Sequence, residues 1–306
     1  SFSAAETAPF EGLDEISQMA AEGWLGLDAE AGLESAVAGA ETAEGIQWDT
    51  PGFQSPRSPH NDEELAAQAS ALEGASGLES TGTPTSLFMI GSIAVGLVVV
   101  SGTEASLRIS NAEFKTVVKQ VQKGLNFLAK AEPRAKITFV YDIRHLAVAV
   151  KPGPAGSYES REAPWRNAAL QQMGFPGSIA GSTQYVKSLR AAKGTRWAYV
   201  AYFTKYPLHH FAYAVTERLC MEYSNDGWGP ERINQLFAHE TCHVFGAADE
   251  YGDCDCSGSG HLNIENRNCR HCTPNQEDCL MNANTLRLCQ WSRGQLGWHD
   301  SLLPPK

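Results

Sequence analysis

The most apolar stretch of the chain, Ser86 to Ser101, reads SLFMIGSIAVGLVVVS, and within it Ile93 to Val100 is rich in β-branched residues and almost wholly apolar. A strand without polar alternation is covered on both faces, so this run predicts a central β-strand. It is too short and too interrupted by glycine to span a membrane. Phe114, Val117, Val118, Val121, Leu125 and Leu128 then recur at three- and four-residue steps, in a helix opened by Asn111 and ended by Pro133. Lys136 to Val150 returns as one or two strands, which completes a βαβ unit with a right-handed crossover. Trp165 to Met173 and Ser182 to Ala192 read as helices and Trp197 to Tyr206 as a third strand. His209 to Thr216 and Glu217 to Tyr223 are expected to be two further strands beside a cleft. Asn225 to Pro230 is a turn into a helix whose buried face carries Ile233, Leu236, Phe237 and Val244.

That helix carries the chemistry. His239-Glu240-Thr241-Cys242-His243 is an H-E-x-x-H motif. Two histidines four apart share one helix face, one turn from each other, and can share one metal ion. Glu240 points elsewhere, toward where a metal-bound water would sit. Gly246 allows a left-handed helix cap and a sharp return of the chain. The return can bring Asp249 to the same ion, giving two His, one Asp and an open fourth position. The adjacent pair His209 and His210 is a poorer candidate, because neighbours on a strand point to opposite faces.

HETCHVFGAAD, His239 to Asp249, fits H-E-x-x-H-x-x-G-x-x-D and resembles the metzincin clan of zinc endopeptidases. Its Asp in place of a third His is similar to snapalysin and the immune-inhibitor-A-like peptidases. CLMNANTLRLCQWS, from Cys279, resembles the cysteine-flanked Met-turn of adamalysins, preceded here by Cys254-Asp255-Cys256, although adamalysins do not use an Asp ligand. The resemblance covers roughly Thr85 to the C-terminus. It implies an α/β (α+β) fold with a twisted mixed sheet, two long helices, an active-site helix and a cysteine-rich irregular subdomain from about residue 247. It further implies catalytic zinc on His239, His243 and Asp249, Glu240 as general base, and Met281 packed under the ligands. Tyr251 is a candidate oxyanion donor, residues 285–298 a candidate specificity wall, and the edge strand near 211–215 a place where extended substrate could pair.

Charge divides the chain unevenly. Residues 1–80 hold 16 acidic residues and one Arg, a net −15, whereas the remainder is at +4. This predicts an acidic segment, residues 1–82, in front of a catalytic domain, 83–306, with electrostatic attraction between them. Leu13 to Met19 and Glu63 to Leu78 are expected to be amphipathic helices, the second with Leu65, Ala69 and Leu72 on one side. Thr50 to His60, with three prolines, reads as an extended loop. Trp24 and Trp48 are large apolar groups for a segment with so little core of its own, so the segment is expected to dock on the body, as a pro-segment does, or on a partner. No cysteine precedes residue 220, so a blocking group from this segment cannot be a thiolate. Asp14, Asp28 and Asp49, each beside an apolar anchor, are the carboxylate candidates.

All eight cysteines fall at or after Cys220. That crowding reads as a disulfide framework of a secreted or extracytoplasmic protein, although no signal pattern opens the chain at Ser1. At most two of the eight thiols are expected to be free, and resemblance to adamalysins suggests Cys256 with Cys279 and Cys220 with Cys289 among the pairs. The rival is a second zinc on Cys254, Cys256, Cys269 and Cys272; nothing in the pattern supports a calcium ion. No basic cluster interleaved with aromatics suggests nucleic acid. Three function classes follow: a zinc endopeptidase, latent or not, acting on protein or peptide; an interaction protein with the same fold and a filled cleft; and a zinc hydrolase of a non-peptide amide.

Overall fold

In a computed structural model the described residues are 45–79 and 84–305, and they belong to a compact unit spanning Glu44–Lys306. The expected helix at Leu13 to Met19, Trp24, Asp14 and Asp28 lie outside the described residues. The fold is mixed α/β. Helix α1 (Glu63–Glu79) precedes β1 (Ser92–Gly102), α2 (Asn111–Ala131), β2 (Thr138–Val148), α3 (Tyr158–Gln172) and α4 (Ile179–Lys193). There follow β3 (Trp197–Thr204), the hairpin β4 (Ala212–Val215) and β5 (Arg218–Glu222), and α5 (Ile233–Val244). The C-terminal region is irregular apart from the short pair β6 (Gly258–Ser259) and β7 (Ile264–Glu265) and helix α6 (Gln290–Gln295).

Five strands form one sheet in the order β2-β1-β3-β5-β4, parallel except for β4. Both central strands are covered on both faces, as their unbroken apolar sequences require. Ala94, Val98 and Val100 of β1 and Ala198, Val200 and Tyr202 of β3 face Trp165, Leu170, Val186 and Leu189 of α3 and α4. On the other face Phe203 stacks on Phe237 of α5, and the Tyr199 hydroxyl lies 3.0 Å from Thr241 Oγ1. Helix α2 begins in a capping box between Ser110 and Glu113. It packs against α5 at Gly124, where a Cβ would stand 2.3 Å from the Asn234 carbonyl oxygen. The helix of the β1-α2-β2 unit therefore positions the helix that carries the H-E-x-x-H motif. Helices α3 and α4 start earlier than the apolar periodicity suggested, because Ser157 and Ser178 cap them.

Helix α1 is part of this unit. Leu65 is fully buried and Ala69 packs on the α3/α4 core. Tyr158 donates through its hydroxyl to Asp62 and through its backbone N–H to Glu64. Beneath it, Glu162 is fully buried between Arg166 and Arg218, with the Tyr213 hydroxyl donating to it, and Arg218 also donates to Gln68 of α1. A buried charge needs such partners.

The cysteines pair as Cys254–Cys269 and Cys256–Cys272. Both bonds staple the loop between the turn that follows α5 and the Met-containing turn, and they remove the four-thiolate zinc site. Cys220, Cys242, Cys279 and Cys289 are free and buried, so the pairs Cys256–Cys279 and Cys220–Cys289 do not form, and four thiols remain rather than two. The reason is the sheet: Cys220 on β5 points into the α3/α4 core, on the face opposite α5. Burial pushes the Cys220 and Cys242 thiols up, which makes them inert. In a non-reduced sample, alkylation should label none of the thiols in the native state and four after unfolding. Peptide mapping should return the pairs 254–269 and 256–272; any other pairing would show that the loop is stapled differently.

Candidate metal centre

Helix α5 ends at Val244, and the chain reverses through a glycine. Gly246 has φ +88°, and a Cβ there would sit 2.7 Å from the Gly260 Cα. Its N–H donates to His243 O, and the N–H of Ala247 donates to Cys242 O. This turn brings Asp249 back to the two histidines, as the spacing predicted. His239 Nε2 and His243 Nε2 lie 2.9 Å apart, and Asp249 Oδ1 lies 3.2 and 3.1 Å from them. All three side chains are buried.

The tautomers follow from the outer contacts. His239 Nδ1 is 2.9 Å from Leu280 O, and His243 Nδ1 is 2.7 Å from Ala247 O. A carbonyl only accepts, so each Nδ1 carries its proton and each Nε2 turns a lone pair inward. Two nitrogen lone pairs and a carboxylate oxygen thus converge, and Asp249 Oδ1 has no hydrogen-bond donor. That donor set suits a cation and little else. Burial, and then the neighbouring imidazole, lowers the pKa of His239.

Glu240 lies beside the triad and outside it. It is fully buried, and neither carboxylate oxygen has a hydrogen-bond partner. Burial and then the Asp249 charge push its pKa well above the ordinary value. The carbonyl of Leu280 that orients His239 belongs to the turn containing Met281, which is itself fully buried. Tyr251 is buried too, and its hydroxyl donates to the carbonyl of Pro56 at 2.8 Å.

Two other groups of potential ligand atoms converge among the described residues. Cys254, Cys269 and His271 include a disulfide, and His271 Nδ1 bonds Cys254 O. Glu250, Cys279 and Cys289 surround a carboxylate that four donors already hold: Asn268 Nδ2, Asn282 Nδ2, Ser292 Oγ and Cys289 Sγ. These donors lie on the loop, the Met-containing turn and the segment after it, so Glu250 organises the floor of the site. Elsewhere, His209 stands edge-on to Tyr158, His210 bonds Ser55 O and His261 stands edge-on to Phe88, so none joins the triad.

Residues 45–61 lie across the centre. Trp48 is fully buried, its ring 5.3 Å from His239. Arg57 N donates to Ala212 O, forming a parallel bridge to the edge strand β4. Ser58 Oγ and Asn61 Nδ2 donate to Asp249 Oδ2 at 2.6 and 2.9 Å. The His60 ring is 6.4 Å from that of His243. Of the three carboxylate candidates, Asp49 is the one among the described residues, and it pairs with Arg270 and accepts from Gly252 N. Residues 280–284, just before the anticipated wall at 285–298, meet the covering segment, and Trp298 donates to Met89 O. Ser58, Asn61 and Glu250 carried no sequence signal, whereas Trp48 did, as an apolar group in need of a surface.

No protein-family model matches this chain, and no curated protein matches it significantly. Among the described residues no helix is long and apolar enough to cross a membrane.

Asp249→Ala should abolish stoichiometric zinc binding while the protein stays folded, because residues 45–61 then lose the Ser58 and Asn61 contacts but keep those of Trp48 and Arg57. Glu250→Ala should instead lower stability by about 3 kcal/mol, since four donors lose a buried acceptor. Metal analysis with thermal unfolding separates the two outcomes, and zinc retention by Asp249→Ala would remove it as a ligand.

Proposed function

We propose that this chain is a zinc-dependent endopeptidase whose cleft is covered, in this form, by its own residues 45–61. The observation that supports the reading best is the convergence of His239 Nε2, His243 Nε2 and Asp249 Oδ1, all within 3.2 Å of one another, beside a carboxylate with no partner. A zinc ion held there would supply Lewis acidity, making a water acidic and polarising a carbonyl.

The chain's own residues do the rest. Glu240, with a raised affinity for protons, takes a proton from water and returns it to the leaving amine. Tyr251 already donates to a peptide carbonyl in the cleft, that of Pro56, and is placed to do the same for a substrate carbonyl as negative charge develops on it. The β4 edge accepts a backbone N–H from Arg57, which is how an extended substrate would be aligned. Pairing sites for backbone on β4 and on residues 282–284 suit a polypeptide better than a small amide. The two disulfides fit a secreted or extracytoplasmic setting.

A second reading has a specific observation in its favour. The covering segment is held by buried contacts at Trp48 and Ser58, so the same architecture would serve an interaction protein with a permanently filled cleft. An unpartnered, fully buried Glu240 weighs against it, since a carboxylate is costly to bury without a role.

Glu240→Ala should keep zinc and lose hydrolysis of an unfolded protein by at least about 100-fold, the usual contribution of a positioned base. Wild-type digestion by this variant would eliminate Glu240 as the base. Arg57→Pro removes the N–H that pairs with Ala212 O and should loosen the segment. The expected result is a several-fold faster digestion by the full-length chain. An unchanged rate in a folded, zinc-loaded variant would show that this pairing does not restrain the cleft.

A further inference from the structure

The covering segment has one residue whose side chain is fitted rather than merely laid down. Trp48 is fully buried, stands edge-on to Trp228 at 4.9 Å and to His239 at 5.3 Å, and donates through Nε1 to Leu280 O at 2.7 Å. That carbonyl is the one that accepts from His239 Nδ1, so the pocket and the metal ligand share an atom. The backbone on either side of Trp48 is held as an added strand. Trp48 N donates to Asn282 O, Asn284 N donates to Ile46 O, and Gln47 bridges Ala283 in antiparallel register. Ile46 N also donates to Asn284 Oδ1. Along this strand Gln47 is exposed while Trp48 is buried, the alternation of a paired strand.

Backbone pairing is indifferent to sequence, and any extended peptide could reproduce it. The pocket is not indifferent. Its walls are aromatic, and its floor presents one hydrogen-bond acceptor, a combination that suits an indole with its single N–H donor. A smaller side chain would leave Trp228 with only the Phe53 ring against it among its aromatic neighbours and Leu280 O without its second donor.

We propose that the pocket occupied by Trp48 is the side-chain subsite of the metal centre, selecting a tryptophan-class aromatic residue of an extended peptide paired with residues 282–284, and that residues 46–48 are the chain's own occupant of it. Calling that peptide a substrate rests on the endopeptidase reading; the binding preference does not.

The test uses the full chain with Trp48→Ala, zinc-loaded, and the tetrapeptide acetyl-Ile-Gln-Trp-Asp-amide, which copies residues 46–49. Calorimetry should show the variant binding this peptide more than about tenfold more tightly than a counterpart with Ala at the Trp position, the loss expected on truncating a buried aromatic anchor. The unsubstituted chain, with its pocket filled, should bind neither. Equal binding of the two peptides, or none, by a folded variant would overturn the subsite. Binding of N-acetyl-tryptophanamide as tight as that of the tetrapeptide would overturn the strand pairing and leave a plain cavity. Should Trp48→Ala not fold, Trp48→Phe keeps a ring and loses only the donor to Leu280 O. The Trp peptide should displace that ring and a Phe peptide should not, the reverse result overturning the assignment. Preferential binding without hydrolysis of any peptide would support the subsite and fail the endopeptidase reading alone.

Discussion

Three lone-pair donors held at mutual distances of 2.9 to 3.2 Å repel one another unless a cation sits among them, and much of the C-terminal region serves to hold them there. His239 is fixed by Leu280 O, so the Met-containing turn must be in place. That turn is fixed in turn by Glu250, whose carboxylate gathers donors from residues 268, 282, 289 and 292. The disulfides restrain the loop that supplies Asn268. His243 is oriented by Ala247 O, an atom of the turn that Gly246 makes possible. Each outer contact is weak singly, but together they aim both Nε2 lone pairs at one point, the arrangement expected of supporting residues around a metal.

The parts of this arrangement that were legible in the sequence are the local ones. Helical spacing places His239 and His243 together, and a glycine three residues later reverses the chain, so the triad follows from eleven consecutive residues. The central strand and helix α2 were equally local, because an unbroken apolar run and a three-four periodicity each have one comfortable conformation. What was illegible is long-range. Ser58 and Asn61 meet Asp249 across 191 and 188 positions, and no feature of either residue announces it. Eight cysteines allow 105 connectivities, and resemblance chose the wrong ones because the sheet separates Cys220 from the Met-containing turn. Glu250 neighbours Asp249 in sequence yet faces away from the metal triad, into the loop, a distinction that only the packed turn makes.

The charge asymmetry between residues 1–80 and the remainder suggested electrostatic attraction, and the contacts made by the described part of that segment are of another kind. Trp48 and Leu65 are buried by apolar packing. Residues 46, 48 and 57 are held by backbone hydrogen bonds. Ser58 and Asn61 are neutral donors to a carboxylate, and Tyr158 donates to Asp62. Among the described residues the ion pair across this contact is Asp49 with Arg270, and both partners are partly exposed, where such a pair contributes little. An acidic surplus can steer encounter, but it decays over about 10 Å at moderate salt. What holds residues 45–61 in the cleft is short-range fit.

Short-range fit has a consequence for how such a cleft could be opened. A segment held by charge would leave when ionic strength rises, whereas one held by a buried tryptophan and backbone pairing is loosened by the loss of those contacts. The chain between Trp48 and Arg57 is the accessible part: Pro51, Gly52 and Gln54 are exposed, while Trp48, Pro56 and Ser58 on either side are buried. Cutting there would divide one continuous occupant into two short ones, each retaining only its own anchors, and would turn a single intramolecular association into two weaker ones. The fold thus couples a strongly held cover to an exposed severing point. Of the groups that touch the metal triad, Ser58 and Asn61 lie on the helix α1 side of that point and Trp48 on the other. A cut would therefore release the Trp48 pocket and the Asp249 contact independently.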